Sequence, residues 1–327
     1  MKILGAILLA LGLAACGDGA VETASVSQCL ADSGGDVAIP GGTMLMGATV
    51  EMPGEGPPRM VRVKAFRMDR NDVTNAAFAA FVAATGYVTR AERSDVGSSM
   101  VFVGAHGEVD LGDPSQWWQI VNGANWRHPW GPESTIEGQD SLPAVHIAYE
   151  DALAYAKWRG RDLPTEAEWE FAARGGIEGA RYAWGDQPRD DGAPRANTWD
   201  GLFPLEDKGR DGFKAQPSPV GCFPANGYGL YDMAGNVWQW TKDAWQPGLF
   251  ADPEAAPETA SYDPHNPYAT QRVIKGGSFL CSDNYCLRYR PAARTAAAAG
   301  DGASHIGFRT VLRDEPQQEA SHGESAP

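Results

Sequence analysis

Cys281 and Cys286 stand five residues apart, led by Gly276-Gly277-Ser278-Phe279-Leu280 and followed by Leu287-Arg288-Tyr289-Arg290. Three kinds of chemistry suit two thiols at that spacing. In an exported protein such a pair is usually a structural disulfide. A reactive pair instead needs an accessible thiolate and a pocket. As metal ligands, two thiolates match a soft ion, and Cu(I) is the soft redox metal best suited to sulfur. Zinc competes, but a structural zinc site wants four ligands. The six histidines (His106, His128, His146, His265, His305 and His322) are scattered, and none pairs with another at ligand spacing. A two-sulfur copper site is chemically coherent, and the spacing leaves the disulfide open. Arg288, Arg290 and Arg294 either favour thiolate or pair with carboxylates.

The start of the chain says where such thiols would work. Lys2 and the apolar run 3–13 read as an export signal, because the run falls short of the roughly 20 residues that span a bilayer. Leu13-Ala14-Ala15-Cys16 resembles a bacterial lipobox. Cleavage after residue 15 would leave Cys16 free for lipid attachment and the protein anchored on the periplasmic side of a membrane. Residues 16–35 are small, polar and acidic and read as a flexible tether, and residues 314–327 as a disordered tail. Of the five cysteines, Cys29 and Cys222 then remain, and a disulfide between them would suit an oxidising compartment. The formal net charge is −15 with no basic stripe, whereas a nucleic-acid partner demands the opposite sign.

The elements that must position the pair are short. Glycine (39), proline (23) and tryptophan (11) are frequent and spread along the chain. Such composition predicts one irregular, loop-rich α+β domain over residues 36–313, with short strands, few helices and aromatic packing. No repeat or internal boundary divides it. Alternating runs at residues 44–47 and 60–66 read as strands separated by the turn-rich stretch 52–58. Thr74 is a good N-cap for a helix that buries Phe78, Phe81 and Val82 and stops at Gly86. A second helix, residues 149–159, buries Ala152, Tyr155, Ala156 and Trp158 and stops at Gly160. A third opens with Thr165 and Glu168 at capping-box spacing, buries Trp169, Ala172 and Ala173, and stops at Gly175.

Several runs of residues share one pattern. They are Ile39-Pro40-Gly41-Gly42, Asp72-Val73-Thr74-Asn75, Gly123-Ala124-Asn125-Trp126-Arg127-His128-Pro129, Leu163-Pro164-Thr165-Glu166-Ala167-Glu168-Trp169-Glu170 and Ala172-Ala173-Arg174-Gly175-Gly176. Further along come Asn226-Gly227-Tyr228-Gly229-Leu230-Tyr231-Asp232-Met233-Ala234-Gly235-Asn236-Val237-Trp238, the block around the two cysteines, and Gly307-Phe308-Arg309. Together they resemble the sulfatase-modifying factor family, and its formylglycine-generating enzymes in particular, over nearly the whole mature chain. The resemblance implies the formylglycine-generating-enzyme fold, within the C-type-lectin-like superfamily. Most of these motifs define only the fold; the two cysteines separate the oxidase from relatives that lack them.

The resemblance also implies a reaction. Cys281 and Cys286 would bind Cu(I), and a cysteine in a Cys-x-Pro-x-Arg motif of an unfolded or extended sulfatase would join as a third sulfur ligand. With O₂ the substrate's β-carbon is oxidised, and the resulting thioaldehyde hydrolyses to formylglycine. By motif position Ser278 lies near bound oxygen, Trp238 walls the oxygen pocket and Tyr285 lies beside the metal. Read without the family, Trp238 is simply core. Structural calcium is implied at Asn197, Thr198, Asp211 and Phe213, the second and fourth through carbonyls, and at a second set, Asp232, Gly235, Val237 and Gln239. Singly, these residues read as turns or caps, and only the combination points to calcium. Gln239 stands where the family commonly has Glu, and Asp232 where others have Asn. Between the cysteines, Ser282-Asp283-Asn284-Tyr285 departs from a basic pair found in some relatives, and Pro291 replaces a further cysteine. Two other readings compete. One is a binding or scaffolding lipoprotein that keeps the fold without catalysis; such relatives usually lack both cysteines. The other forms carbon–sulfur bonds with non-haem iron, which needs a histidine-rich site that this sequence does not offer.

Overall fold

A computed structural model describes residues 29, 34–49, 52, 54–187, 193–246 and 270–314. The signal and Cys16, together with residues 315–327, lie outside the described residues. No helix among the described residues is long and apolar enough to cross a membrane.

Strand β1 (Asp36–Ile39) pairs antiparallel with β4 (Phe66–Asp69), whose other edge takes β11 (Val311–Leu312), so the two ends of the domain meet in one sheet. Strands β2 (Gly42–Met46) and β3 (Arg59–Val63) form a hairpin in which alternate residues point inward, the period-2 pattern of a half-buried ribbon. The expected strand at residues 60–66 is thus interrupted: Lys64 and Ala65 separate β3 from β4, and Phe66 belongs to the latter. A second hairpin joins β5 (Ser98–Phe102) to β6 (Trp118–Asn122). The largest sheet runs β10 (Ile306–Gly307), β7 (Trp238–Ala244), β8 (Gln271–Lys275), β9 (Thr295–Ala298).

All three predicted helices form. Helix α1 (Asn75–Thr85) is capped by the Thr74 side chain, which accepts from Ala77 N, and ends at Gly86. Helix α2 (Tyr149–Trp158) stops one residue short of its expected end. Trp158 does not enter the core as expected. It is 42% exposed and covers the aromatic cluster from outside, against Phe81 and Tyr155. Helix α3 (Glu166–Arg174) carries the predicted Thr165–Glu168 capping box and ends at Gly175.

Packing is aromatic, as the tryptophan content suggests. Phe78, Phe81, Trp126, Tyr155 and Phe308 meet edge-on or stacked between α1 and α2. Buried charge fastens α3 to the main sheet. Lys275, at the end of β8, lies 3.2 Å from Glu170 and 3.6 Å from Glu166, and Arg294 donates to Glu166 at 2.7 Å. Each buried carboxylate there meets a cation, which is what a buried charge requires. The strand that delivers the cysteine loop is therefore anchored where it ends.

Candidate active site

Beyond Lys275 the chain turns at Gly276 and Gly277, both at positive φ (+96° and +73°). A side chain at Gly276 would meet the Trp169 ring at 3.1 Å. One at Gly277 would stand 3.0 Å from the backbone of Arg288 and Tyr289. Glycine is required at the neck because the outgoing and returning strands of the loop touch there. Inside this closed loop Cys281 N donates to Ser278 O (2.9 Å) and Cys286 N donates to Ser282 O (3.0 Å). Two successive turns thereby face the thiols inward, and the sulfurs stand 2.6 Å apart. They are free thiols, not a disulfide, whose bond is about 2.05 Å.

Both cysteines are buried, although Asp283 and Asn284 between them are exposed; Cys281 keeps 1% of its surface open and Cys286 7%. Cys286 is the more accessible of the two. The pair shares its protons unequally. Burial pushes the Cys281 thiol up, well above the ordinary range. Cys286 is held below it by the hydrogen bond it accepts from Cys281 and by the charge of Arg288, whose Nη1 lies 4.0 Å from its sulfur. Of the two, Cys286 is the thiol that loses its proton more readily. Among the described residues no three of His, Cys, Asp and Glu converge on one point, so a four-ligand zinc site is not built around the pair.

Trp199 N donates to Cys281 O (3.1 Å), and Phe279 N donates to Asn236 O (2.9 Å), which ties the loop to the segment before β7. Ser278 is fully buried, and its hydroxyl accepts from Leu280 N (3.3 Å). Tyr285 is half-buried and stacks on Phe203, with ring centroids 4.5 Å apart, while Trp117 meets it edge-on at 5.7 Å. Burial and the nearby Cys286 raise its phenol, so it stays protonated. Trp238 is buried in the apolar cluster that also holds Cys281, Cys286 and Tyr289.

Phe203, Trp117 and His305 were not singled out as site residues from the sequence. Their signal is weak, since each comes from a loop with no periodicity. The His305 carbonyl accepts from Trp238 N (2.8 Å), and its ring lies 4.6 Å from that of Trp118. Burial, with His146 beside it, drives its imidazole down to about 3, so it is neutral. It lines a cavity of about 250 Å³ with Met100, Trp118 and Ile306.

The two candidate calcium sets differ. In the first, Asp211 accepts from Thr198 N (3.2 Å) and Phe213 N (2.9 Å), which gathers three of the four residues around one carboxylate. Asn197 is buried there, and its Oδ1 finds no hydrogen-bond donor. A buried acceptor without a donor fits a cation, and its set is oxygen-rich as calcium prefers. The second set does not fit. Gln239 Oε1 accepts from Trp169 Nε1 (2.7 Å) and Arg309 Nε (2.8 Å), so both lone pairs are taken.

Cys29 and Cys222 form a disulfide, which fixes one point of the segment read as a tether to the body of the domain.

Comparison with known proteins places this geometry. The sulfatase-modifying factor enzyme 1-like domain matches residues 22–314. A formylglycine-generating enzyme of Mycobacterium tuberculosis is 49% identical over 294 residues, covering 84% of this chain and 96% of the relative. A mouse protein called inactive Cα-formylglycine-generating enzyme 2 is 42% identical over 285 residues, covering 84% of each. Among solved structures, PvdO from Pseudomonas aeruginosa superposes with a TM-score of 0.58 at 27% identity, over 85% of this chain and 94% of its own.

Proposed function

The chain belongs to the sulfatase-modifying factor enzyme 1-like family, and we infer that it converts a cysteine of a sulfatase into Cα-formylglycine. Identity alone does not decide this, because a relative named as inactive matches almost as well as one named as active. The observation that carries the reading is the pair of free thiols with sulfurs 2.6 Å apart.

Two buried sulfurs, one of them with its thiol pKa lowered, are a donor set for a soft ion. Copper(I) held by Cys281 and Cys286 would supply the one-electron and O₂ chemistry that side chains lack. The rest falls to the chain's own residues. Arg288 favours the charged form of Cys286. Tyr285, fixed by Phe203 and Trp117, forms one wall, and Trp238 another. Both sulfurs are buried, so a target thiol must reach down to them on an extended segment. A Cys-x-Pro-x-Arg stretch of an unfolded sulfatase suits that need. Holding the thiol there turns a bimolecular encounter into an intramolecular one. The substrate loses two hydrogens across its Cβ–S bond, and water replaces sulfur, releasing H₂S. O₂ accepts four electrons and becomes two waters: two electrons come from the substrate and two from a pair of external thiols, which leave as a disulfide.

Calcium at Asn197, Thr198, Asp211 and Phe213 would brace the segment that donates Trp199 N to Cys281 O. The export signal, the Cys16 position and the Cys29–Cys222 bridge all accord with a lipid-anchored protein in an oxidising, extracytoplasmic compartment.

The test is direct. The protein is incubated with Cu(I), air, a thiol reductant and a Cys-x-Pro-x-Arg peptide, and the product is weighed. The wild-type protein lowers the peptide mass by the change from thiol to aldehyde. A Cys281→Ser variant that still makes the aldehyde would remove this site assignment.

A further inference from the structure

Arg309 is fully buried, and every N–H it owns is taken. Its Nε donates to Gln239 Oε1 (2.8 Å). Nη1 donates to the carbonyls of Asp69 and Arg70 (both 3.2 Å), and Nη2 to those of Tyr231 (2.8 Å) and Asp232 (3.2 Å). Five oxygens thus converge on one fixed positive charge. The Asp72 carboxyl lies 3.7 Å from Nη2 with 0% of its side chain exposed, and burial pushes its pKa well above the usual carboxylate range despite Arg309. Because the guanidinium has no N–H to spare, the Asp72 carboxylate receives no hydrogen bond.

This shell fixes which way Gln239 faces. Its oxygen must meet the two donors, Trp169 Nε1 and Arg309 Nε. Its amide nitrogen then points the other way and donates to Asp232 O (2.8 Å). An amide NH₂ carries hydrogens where a carboxylate would carry a second oxygen, and it cannot ligate a hard cation. The same hydrogen bond consumes the Asp232 carbonyl, and one oxygen of the Asp232 carboxylate accepts from Gly221 N (2.8 Å).

We infer that this chain holds one structural calcium and not two: the Gln239 amide closes the second oxygen cage, and the Arg309 guanidinium fills the neighbouring one. The single ion is the one proposed at Asn197 and Asp211, and the inference rests on that reading for its count. One substitution should reopen the cage. Gln239→Glu puts an oxygen where the nitrogen stands and keeps the other oxygen on Trp169 and Arg309.

Calcium bound per chain is counted by mass spectrometry of the element, after equilibration with calcium and removal of free ion. The expected counts are one for the wild-type chain, none for Asp211→Asn and two for Gln239→Glu. Two ions in the wild type, with one surviving in Asp211→Asn, overturn the inference. So does Gln239→Glu that binds no more than the wild type. No ion in the wild type and one in Gln239→Glu would remove the Asn197–Asp211 site, and the count of one with it, but leave the closure of the second cage by Gln239 standing. If Gln239→Glu does not fold, the wild-type and Asp211→Asn counts decide by themselves.

Discussion

Gly277 backs directly onto Tyr289: a Cβ added to Gly277 would lie 3.0 Å from both the Cα and the N of Tyr289. This contact closes the neck of the loop that carries both thiols. The φ of +73° at Gly277 is also one that side chains rarely adopt. Gly277→Ala is therefore expected to cost on the order of 1–3 kcal/mol of stability. Denaturant titration checks the stability, and the yield of aldehyde per chain should fall more steeply than the folded fraction. Wild-type stability in the variant would show that the neck is not closed in this way.

Arg290 locks the far side of the same loop. Its Nη2 meets Glu55 Oε1 at 2.5 Å, both side chains are buried, and its Nε donates to Leu287 O at 2.8 Å. Glu55→Ala removes the buried carboxylate that this guanidinium meets. The expected loss is about 3–5 kcal/mol. Urea unfolding at neutral pH measures it, and a loss below about 1 kcal/mol would place the pair among weak surface bridges instead.

Phe203 carries Tyr285. Phe203→Ala removes a buried ring and should cost about 3–5 kcal/mol. It should also slow aldehyde formation, because Tyr285 loses the surface it stacks on. Tyr285→Phe keeps that stacking and is expected to hold stability within about 0.5 kcal/mol. Comparing the two variants in the peptide assay separates the wall from its hydroxyl.

Asp243 predicts a pH dependence. Burial, then Glu166 and later Glu168, push its carboxyl from 3.8 up to about 7, against the opposing charge of Arg294 and the hydrogen bond from Glu166 N. Its folded pKa is above its unfolded one, so the folded state favours the protonated group. The stabilisation is fully present below pH 3.8 and is lost as pH rises through about 7. Asp243→Asn is neutral at every pH and its oxygen can still accept from Glu166 N. The variant should match the wild type at low pH and exceed it above neutrality, by at most about 4 kcal/mol. Equal stability differences at pH 5 and pH 8 would contradict this.

How much of this was readable in the chain depended on the range of each interaction. Helix ends were legible because Thr74, Thr165, Gly86 and Gly175 act on their own neighbours. The thiol pair was legible because its two members share one loop. The Glu55–Arg290 pair was not, since it joins residues 235 positions apart and no periodicity links them. Phe203 and Trp117 reach Tyr285 from separate loops for the same reason. Trp158 misled by its position on the helix face: helical spacing places a ring toward the core, but Tyr155 and Phe81 already fill that space. Gln239 was recognisable as a departure, yet which way its amide faced depended on Trp169 and Arg309, 70 residues away on either side.

The central claim is that Cys281 and Cys286 together hold one copper ion within reach of a substrate thiol. X-ray absorption at the copper edge of the Cu(I)-loaded protein, before and after a Cys-x-Pro-x-Arg peptide is added, counts the sulfurs directly. The account predicts two sulfur neighbours alone and three with the peptide, and loss of bound copper in Cys286→Ser. Copper bound through nitrogen or oxygen, with no change when the peptide thiol arrives, would contradict it.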